Sequence, residues 1–170
     1  MIIVVSGIPG AGKSTVSPLL AGTFERGVHV EADVVHSMIV SGGRWPNEEP
    51  LEEGARQLRL RGRNSCLLAR SYDAAGFDVV IDDIVIGERF DEYADDLEGL
   101  RWTLVQLLPT LPAVKERNRG RTSKDVYDQW QHLDAVARAT GQGFELDSTV
   151  LTPDQTVAAI RAHLAQNRVT

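Results

Sequence analysis

The stretch Gly7-Ile8-Pro9-Gly10-Ala11-Gly12-Lys13-Ser14 constrains this chain more than any other. It has the form G-x-x-x-x-G-K-S and follows Ile2 to Ser6, a run that reads as one buried strand. A helix is expected directly after it. Gly7, Gly10 and Gly12 allow the backbone to take positive φ and to turn its N–H groups onto an anion. The positive end of the following helix points at the same anion. Lys13 adds a mobile charge for β- and γ-phosphates, and Ser14 offers a hydroxyl to Mg²⁺. The expected phosphate and nucleotide contacts are therefore Gly7, Ile8, Pro9, Gly10, Ala11, Gly12, Lys13, Ser14 and Thr15.

The rest of the chain alternates strand and helix patterns. The first helix reads to about Phe24 or Arg26, with Pro18 inside it. Val28 to Ala32 reads as a second strand, with Asp33 at its tip and a helix over Val34 to Val40. Ser41 to Pro50 is a loop by composition and carries the Arg44-Trp45 pair. A long helix follows from about Leu51 to Ala75, its apolar face marked by Leu51, Ala55, Leu58, Ser65, Ala69 and Tyr72. Arg56, Arg59, Arg63 and Arg70 recur on another face, which is either solvated and paired with Glu52 and Glu53 or turned toward an anionic substrate. Phe77 to Ile81 is the third strand and Glu88 to Leu97 a helix. Trp102 to Leu108 is the fourth strand. A helix bracketed by Pro109 and Pro112 follows, and Ser123 to Thr140 is helical. Phe144 to Asp147 is a fifth strand, and a last helix starts at Thr152-Pro153. This order predicts one domain over residues 1–170, an open, mostly parallel, doubly wound α/β sheet. Ligands of such sheets sit beyond the carboxyl ends of the strands.

Three acids converge on that edge. Asp82 ends a hydrophobic strand and is expected to hold Mg²⁺ opposite Ser14. Side chains alternate along a strand, so Asp83 takes a different part: a supporting partner, an acceptor-pocket residue or a helix cap. Asp33 is either a helix cap or the general base for an acceptor hydroxyl, and the two readings are compatible. His36, one helical turn later, is a candidate to line the acceptor pocket together with Arg44 and Trp45. Lys115, Arg117, Arg119 and Arg121 form a basic cluster suited to a lid over residues 115–125. An arginine of this cluster would stabilise charge on the transferring phosphoryl and another could contact the nucleotide; the spacing leaves open which of Arg117, Arg119 and Arg121 does which.

The formal net charge is -6, which argues against general binding to nucleic acid or anionic membrane. The single cysteine, Cys66, cannot form an internal disulfide and fits a reducing cytoplasm. No stretch has membrane length, and the apolar N-terminus reads as a strand.

The segments GIPGAGKST, EADVVH, VVIDDIVIGERF, KERNRGRT and GFELDSTVLTPDQTVAAI resemble the small P-loop kinases, and most closely the chloramphenicol phosphotransferase-like proteins. The resemblance spans nearly the whole chain. It implies a five-stranded parallel sheet in the order 2-3-1-4-5, with helices on both faces and a small lid. It implies ATP, Mg²⁺ and transfer of the γ-phosphoryl to a hydroxyl of a small molecule, an antibiotic such as chloramphenicol among the candidates. On this likeness the base falls on Asp33, the phosphate loop on Gly7 to Ser14, and the lid arginines on Arg117 and Arg119. Many relatives read Arg-Gly-Asp-Arg in the lid, whereas Arg119-Gly120-Arg121-Thr122 lacks the acid. A nucleoside, a sugar acid or a nucleic-acid end are alternative acceptors. A nucleotide-binding regulatory NTPase without an acceptor is the alternative of another class.

Overall fold

A computed structural model describes residues 1–119, 132–139 and 141–166. Strand β1, Ile2–Ser6, lies at the centre, and all five residues are buried. Alternation sends Ile3 and Val5 into one apolar layer and Ile2 and Val4 into the other. A strand buried on both faces needs the continuous β-branched run found here. Each such side chain removed from water contributes about 1.5–3 kcal/mol.

Around β1 stand β2 (Gly27–Glu31), β3 (Asp78–Asp82), β4 (Trp102–Leu107) and β5 (Phe144–Leu146), giving the sheet order β2-β3-β1-β4-β5. Every pairing is parallel. The sheet is the five-stranded P-loop kinase arrangement expected from the sequence. One layer packs α1 (Lys13–Ala21), α5 (Leu111–Asn118), α6 (His132–Ala139) and α7 (Pro153–Gln166) through Val16, Leu20, Val114, Ala137 and Ile160. The other packs α2 (Ala32–Ser37), α3 (Leu51–Ala74) and α4 (Arg89–Asp96) through Val35, Cys66, Ala69 and Tyr93. The start of α7 is fixed by reciprocal bonds: Gln155 N–H donates to Thr152 Oγ1 at 3.2 Å, and Thr152 N–H donates to Gln155 Oε1 at 2.9 Å.

Helix α3 keeps Ser65 and Ala69 of its expected face in the core and departs from that face at its two ends. Its buried stripe is Gly54, Gln57, Arg61, Gly62, Ser65, Cys66 and Ala69, while Leu51 and Tyr72 are exposed. The reason is close approach. A Cβ at Gly54 would lie 2.5 Å from the Trp45 carbonyl oxygen, and one at Gly62 would lie 2.8 Å from Arg89 Nη2. Small and polar residues therefore mark the packed side. The Arg face is solvated: Arg56 pairs with Glu53, Arg70 donates to the Asp96 and Glu98 carbonyls, and Arg59 and Arg63 are exposed. Helix α1 ends at Ala21, short of the expected Phe24, and α2 begins two residues early, at Ala32.

Candidate active site

The register of the sheet assembles the site. Val5 pairs with Asp82, and Glu31 pairs with Asp82 from the other side. The phosphate loop, Asp82 and Asp33 thus leave the same edge of three adjacent strands. Gly7, Gly10 and Gly12 take φ values of 146°, 85° and 106°, where a side chain is strained. Gly12 caps α1, so the N–H groups of its first turn face the loop.

Lys13 folds back over the loop. Its ammonium donates to the Gly7 carbonyl at 2.8 Å and to the Ile8 carbonyl at 3.3 Å. Burial pushes its pKa below the ordinary value, against the pull of Asp82, Asp83 and Asp33. Ser14 and Thr15 are exposed at the start of α1.

Asp82 is buried, and one of its oxygens, Oδ2, meets His29 Nε2 at 3.0 Å. A hydroxyl and a carboxylate are hard oxygen donors of the kind Mg²⁺ takes alongside phosphate and water. Among the described residues no group of three His, Cys, Asp or Glu side chains forms a metal cage. Ser14 and Asp82 therefore fit an ion that arrives with phosphate ligands.

Asp83 has a different surrounding. Oδ1 accepts from Arg61 Nη2 and, at 2.8 Å, from the Ile84 N–H; Oδ2 accepts from Arg89 Nη2 at 2.9 Å and from the Tyr93 hydroxyl at 2.8 Å. Burial pushes its carboxyl up, but Arg89, Arg61 and these hydrogen bonds outweigh that and hold it below the ordinary carboxylate range. With four donors on a buried carboxylate, Asp83 is an internal anchor and not a lining of the acceptor pocket. The alternation of β3 had separated it from Asp82, and its partners show what it does instead.

Asp33 lies in the first turn of α2, whose cap is Glu31. Its role is therefore not that of the capping residue. Its side chain is 42% exposed, and Arg61 Nη1 donates to its Oδ1 at 3.1 Å. Arg61 itself is 6% exposed. This arginine joins Asp33 to Asp83. It escaped the sequence reading because the arginines of α3 were sorted by the Arg56–Arg70 face, and Arg61 falls on the opposite one.

Beyond α2 the 41–50 loop forms one wall of a cavity of about 460 Å³ that His36, Arg44, Trp45 and Glu48 line. His36 is buried against the Trp45 ring, with centroids 4.3 Å apart. Burial, and then the Arg61 charge, lower its pKa. Gln57 of α3 holds the loop: it accepts from Arg44 N–H at 2.7 Å and donates to the Gly42 carbonyl at 2.9 Å. His36, Arg44 and Trp45 are thus brought together, next to the turn of α2 that carries Asp33.

The lid arginines part company. Arg117 donates to the carbonyls of Ala11 at 3.3 Å and Ser148 at 2.6 Å. It lines a cleft of about 220 Å³ with Gly10, Gly12, Thr15, Ser148 and Leu151, on the side of the loop away from Asp33. Arg119 is exposed and pairs with Glu116 at 2.6 Å. Arg121 and most of the expected 115–125 lid lie outside the described residues, as does Trp130.

Comparison with known proteins gives the family and the fold. Residues 1–165 match the model of the chloramphenicol phosphotransferase-like protein family. The chain belongs to that family. A curated protein of Aeropyrum pernix strain K1 described as a UPF0200 protein is 41% identical over 59 residues, 35% of this chain. The chain spans about a third of that relative's length, 32%. Among solved structures, a tunicamycin resistance protein of Deinococcus radiodurans superposes with a TM-score of 0.71 at 19% identity, covering 96% of this chain and 94% of that one. The APS kinase of Mycobacterium tuberculosis, in complex with AMPPNP and APS, gives 0.71 at 14% identity and 96% of each chain. A gluconokinase of Sinorhizobium meliloti gives 0.68 at 21% identity, with 98% and 94% covered. These likenesses establish the P-loop kinase fold. Among the described residues no helix is long and apolar enough to cross a membrane.

Proposed function

We propose that this protein transfers the γ-phosphoryl of ATP to a hydroxyl of a small molecule. The observation that carries the reading is that the phosphate loop with Lys13, Asp82 and Asp33 leave the same edge of three adjacent strands. The loop amides and Lys13 bind and orient the phosphates. Ser14 and Asp82 are the residues that would hold Mg²⁺, which when bound neutralises charge on the β- and γ-phosphates. Asp33 accepts the proton of the acceptor hydroxyl as the hydroxyl oxygen bonds to phosphorus and the bond from phosphorus to the ADP oxygen breaks. The products are ADP and a phosphate ester.

The cavity beyond Asp33 suits the acceptor, with His36, Arg44 and Trp45 on its walls. The cleft on the other side suits the base and ribose, with Arg117 bridging the loop to the Ser148 carbonyl. That placement favours nucleotide binding for Arg117, over contact with the transferring phosphoryl. An antibiotic of the chloramphenicol type is the first acceptor to try, given the family. The test is an ADP-release screen with chloramphenicol, other hydroxylated antibiotics, nucleosides and sugar acids. Turnover with one of them, lost in Asp33→Asn while ATP still binds, supports the reading. Slow hydrolysis with every compound, unchanged in Asp33→Asn, would sink it.

A further inference from the structure

The proposed base stands on the first turn of a helix only six residues long, with nearly half its side chain in solvent. A carboxylate has several staggered rotamers, and a base needs one that faces the phosphate loop. A buried guanidinium holds this one at Oδ1. Arg61 extends from α3 with Nη1 on Asp33 Oδ1 and Nη2 on Asp83 Oδ1. Asp83 cannot yield, because Arg89, Tyr93 and the Ile84 N–H hold it as well. Arg89 is tied in turn to the Ile84 carbonyl at 2.8 Å. The anchor is thus rigid at Asp83 and adjustable at Asp33. Resting on the phosphotransfer reading above, we infer that Arg61 is the positioning residue of the reaction, clamped by Asp83 so that its other amino group sets the rotamer and charge of Asp33.

Two features separate this from a plain structural ion pair. Asp83 already has Arg89 as a buried counter-ion, so Arg61 is not needed to neutralise it. The planar fork spans two carboxylates on different elements, which an ammonium on one stem does not do. A base displaced by about 1 Å costs about 100-fold in rate.

The test compares Arg61→Ala and Arg61→Lys with wild type by ADP release, using chloramphenicol first and then the other compounds of the panel as acceptor. The expected result is a fall in kcat of about 100-fold for Arg61→Ala, with the KM for ATP within about 3-fold, and a smaller fall for Arg61→Lys. Added guanidinium ion at non-denaturing concentration restores part of kcat to Arg61→Ala and none to Asp33→Asn. Arg63→Ala, on the solvated face, is the control and keeps wild-type rates. If Arg61→Ala does not fold, Arg61→Lys at unchanged Tm carries the test alone. Variants that keep kcat within 2-fold of wild type overturn the inference and leave the phosphotransfer reading standing. A wild-type protein whose ADP release no acceptor of the panel raises overturns both.

Discussion

At Gly7 a Cβ would lie 2.6 Å from the Leu107 carbonyl oxygen and 2.9 Å from Ala11 Cβ, on a backbone of φ 146°. Backbone cannot swing aside as a side chain can. Gly7→Ala is expected to lower stability by about 2–4 kcal/mol, read as a fall in the denaturant midpoint, and to weaken ATP binding. Asp83→Asn acts through charge. It leaves Arg61 and Arg89 buried with one carboxylate fewer and is expected to cost about 3–5 kcal/mol. The pH dependence has a definite sign. The folded carboxyl titrates below the ordinary 3.8, so its contribution is complete above that value and disappears as pH falls through the lower, folded one. Acid unfolding curves should therefore converge for wild type and Asp83→Asn as the pH drops below about 4. Asp83 as an acid at a strand end was legible in the sequence. Its two arginines were not, because Arg61 comes from a helix 22 residues earlier and Arg89, six residues later, is turned back onto it by the packing of α4.

At the scale of elements, α3 acts as a rail from which the acceptor side of the site hangs. Gln57 ties down the 42–44 backbone, Gly54 admits the Trp45 carbonyl, and Arg61 reaches Asp33. Gln57→Leu removes the buried hydrogen bonds and leaves the Arg44 N–H and the Gly42 carbonyl without this partner. A loss of about 1–3 kcal/mol is expected. The sharper readout is kinetic: KM for the acceptor rises while KM for ATP stays put, since the nucleotide cleft lies on the other layer. Equal changes in both would contradict a loop-specific role. Ser65 and Ala69 of the expected α3 face are buried, whereas Leu51 and Tyr72 at its ends are exposed, because close packing selected Gly54, Gln57, Arg61 and Gly62 for the rest of the stripe. Leu60 and Leu67 were left exposed.

The whole molecule is two apolar layers on a parallel sheet, with the clefts proposed for donor and acceptor on opposite sides of the phosphate loop. ATP that binds only the folded state raises stability by mass action, by about 2.7 kcal/mol at a hundredfold excess over Kd. Thermal unfolding with and without ATP and Mg²⁺ should show a rising Tm for wild type. Chelating the metal should reduce the rise, and Lys13→Ala should nearly abolish it. Asp33→Asn should keep it, which separates nucleotide binding from transfer.

The alternation of strands and helices and the phosphate loop were legible because both rest on local signals: β-branched runs, glycines at fixed offsets and one lysine; the strand order came only with the family resemblance. The ends of strands β1, β2 and β3 placed Asp33 and Asp82 on the loop's edge for the same reason. Tertiary structure alone decided which groups share a charge. Arg61 and Asp33 are 28 residues apart, and Arg61 and Asp83 are 22 apart. Packing of α3 against β3 and α4, through small residues with no hydrophobic signature, brings them together. The same packing decided among the three parts open to Asp83, making it the buried anchor of Arg61. The loop's own carbonyls and those of residues 148–149 drew Arg117 to the nucleotide side. Side-chain partners across elements follow from depth and distance, and neither is written in spacing along the chain.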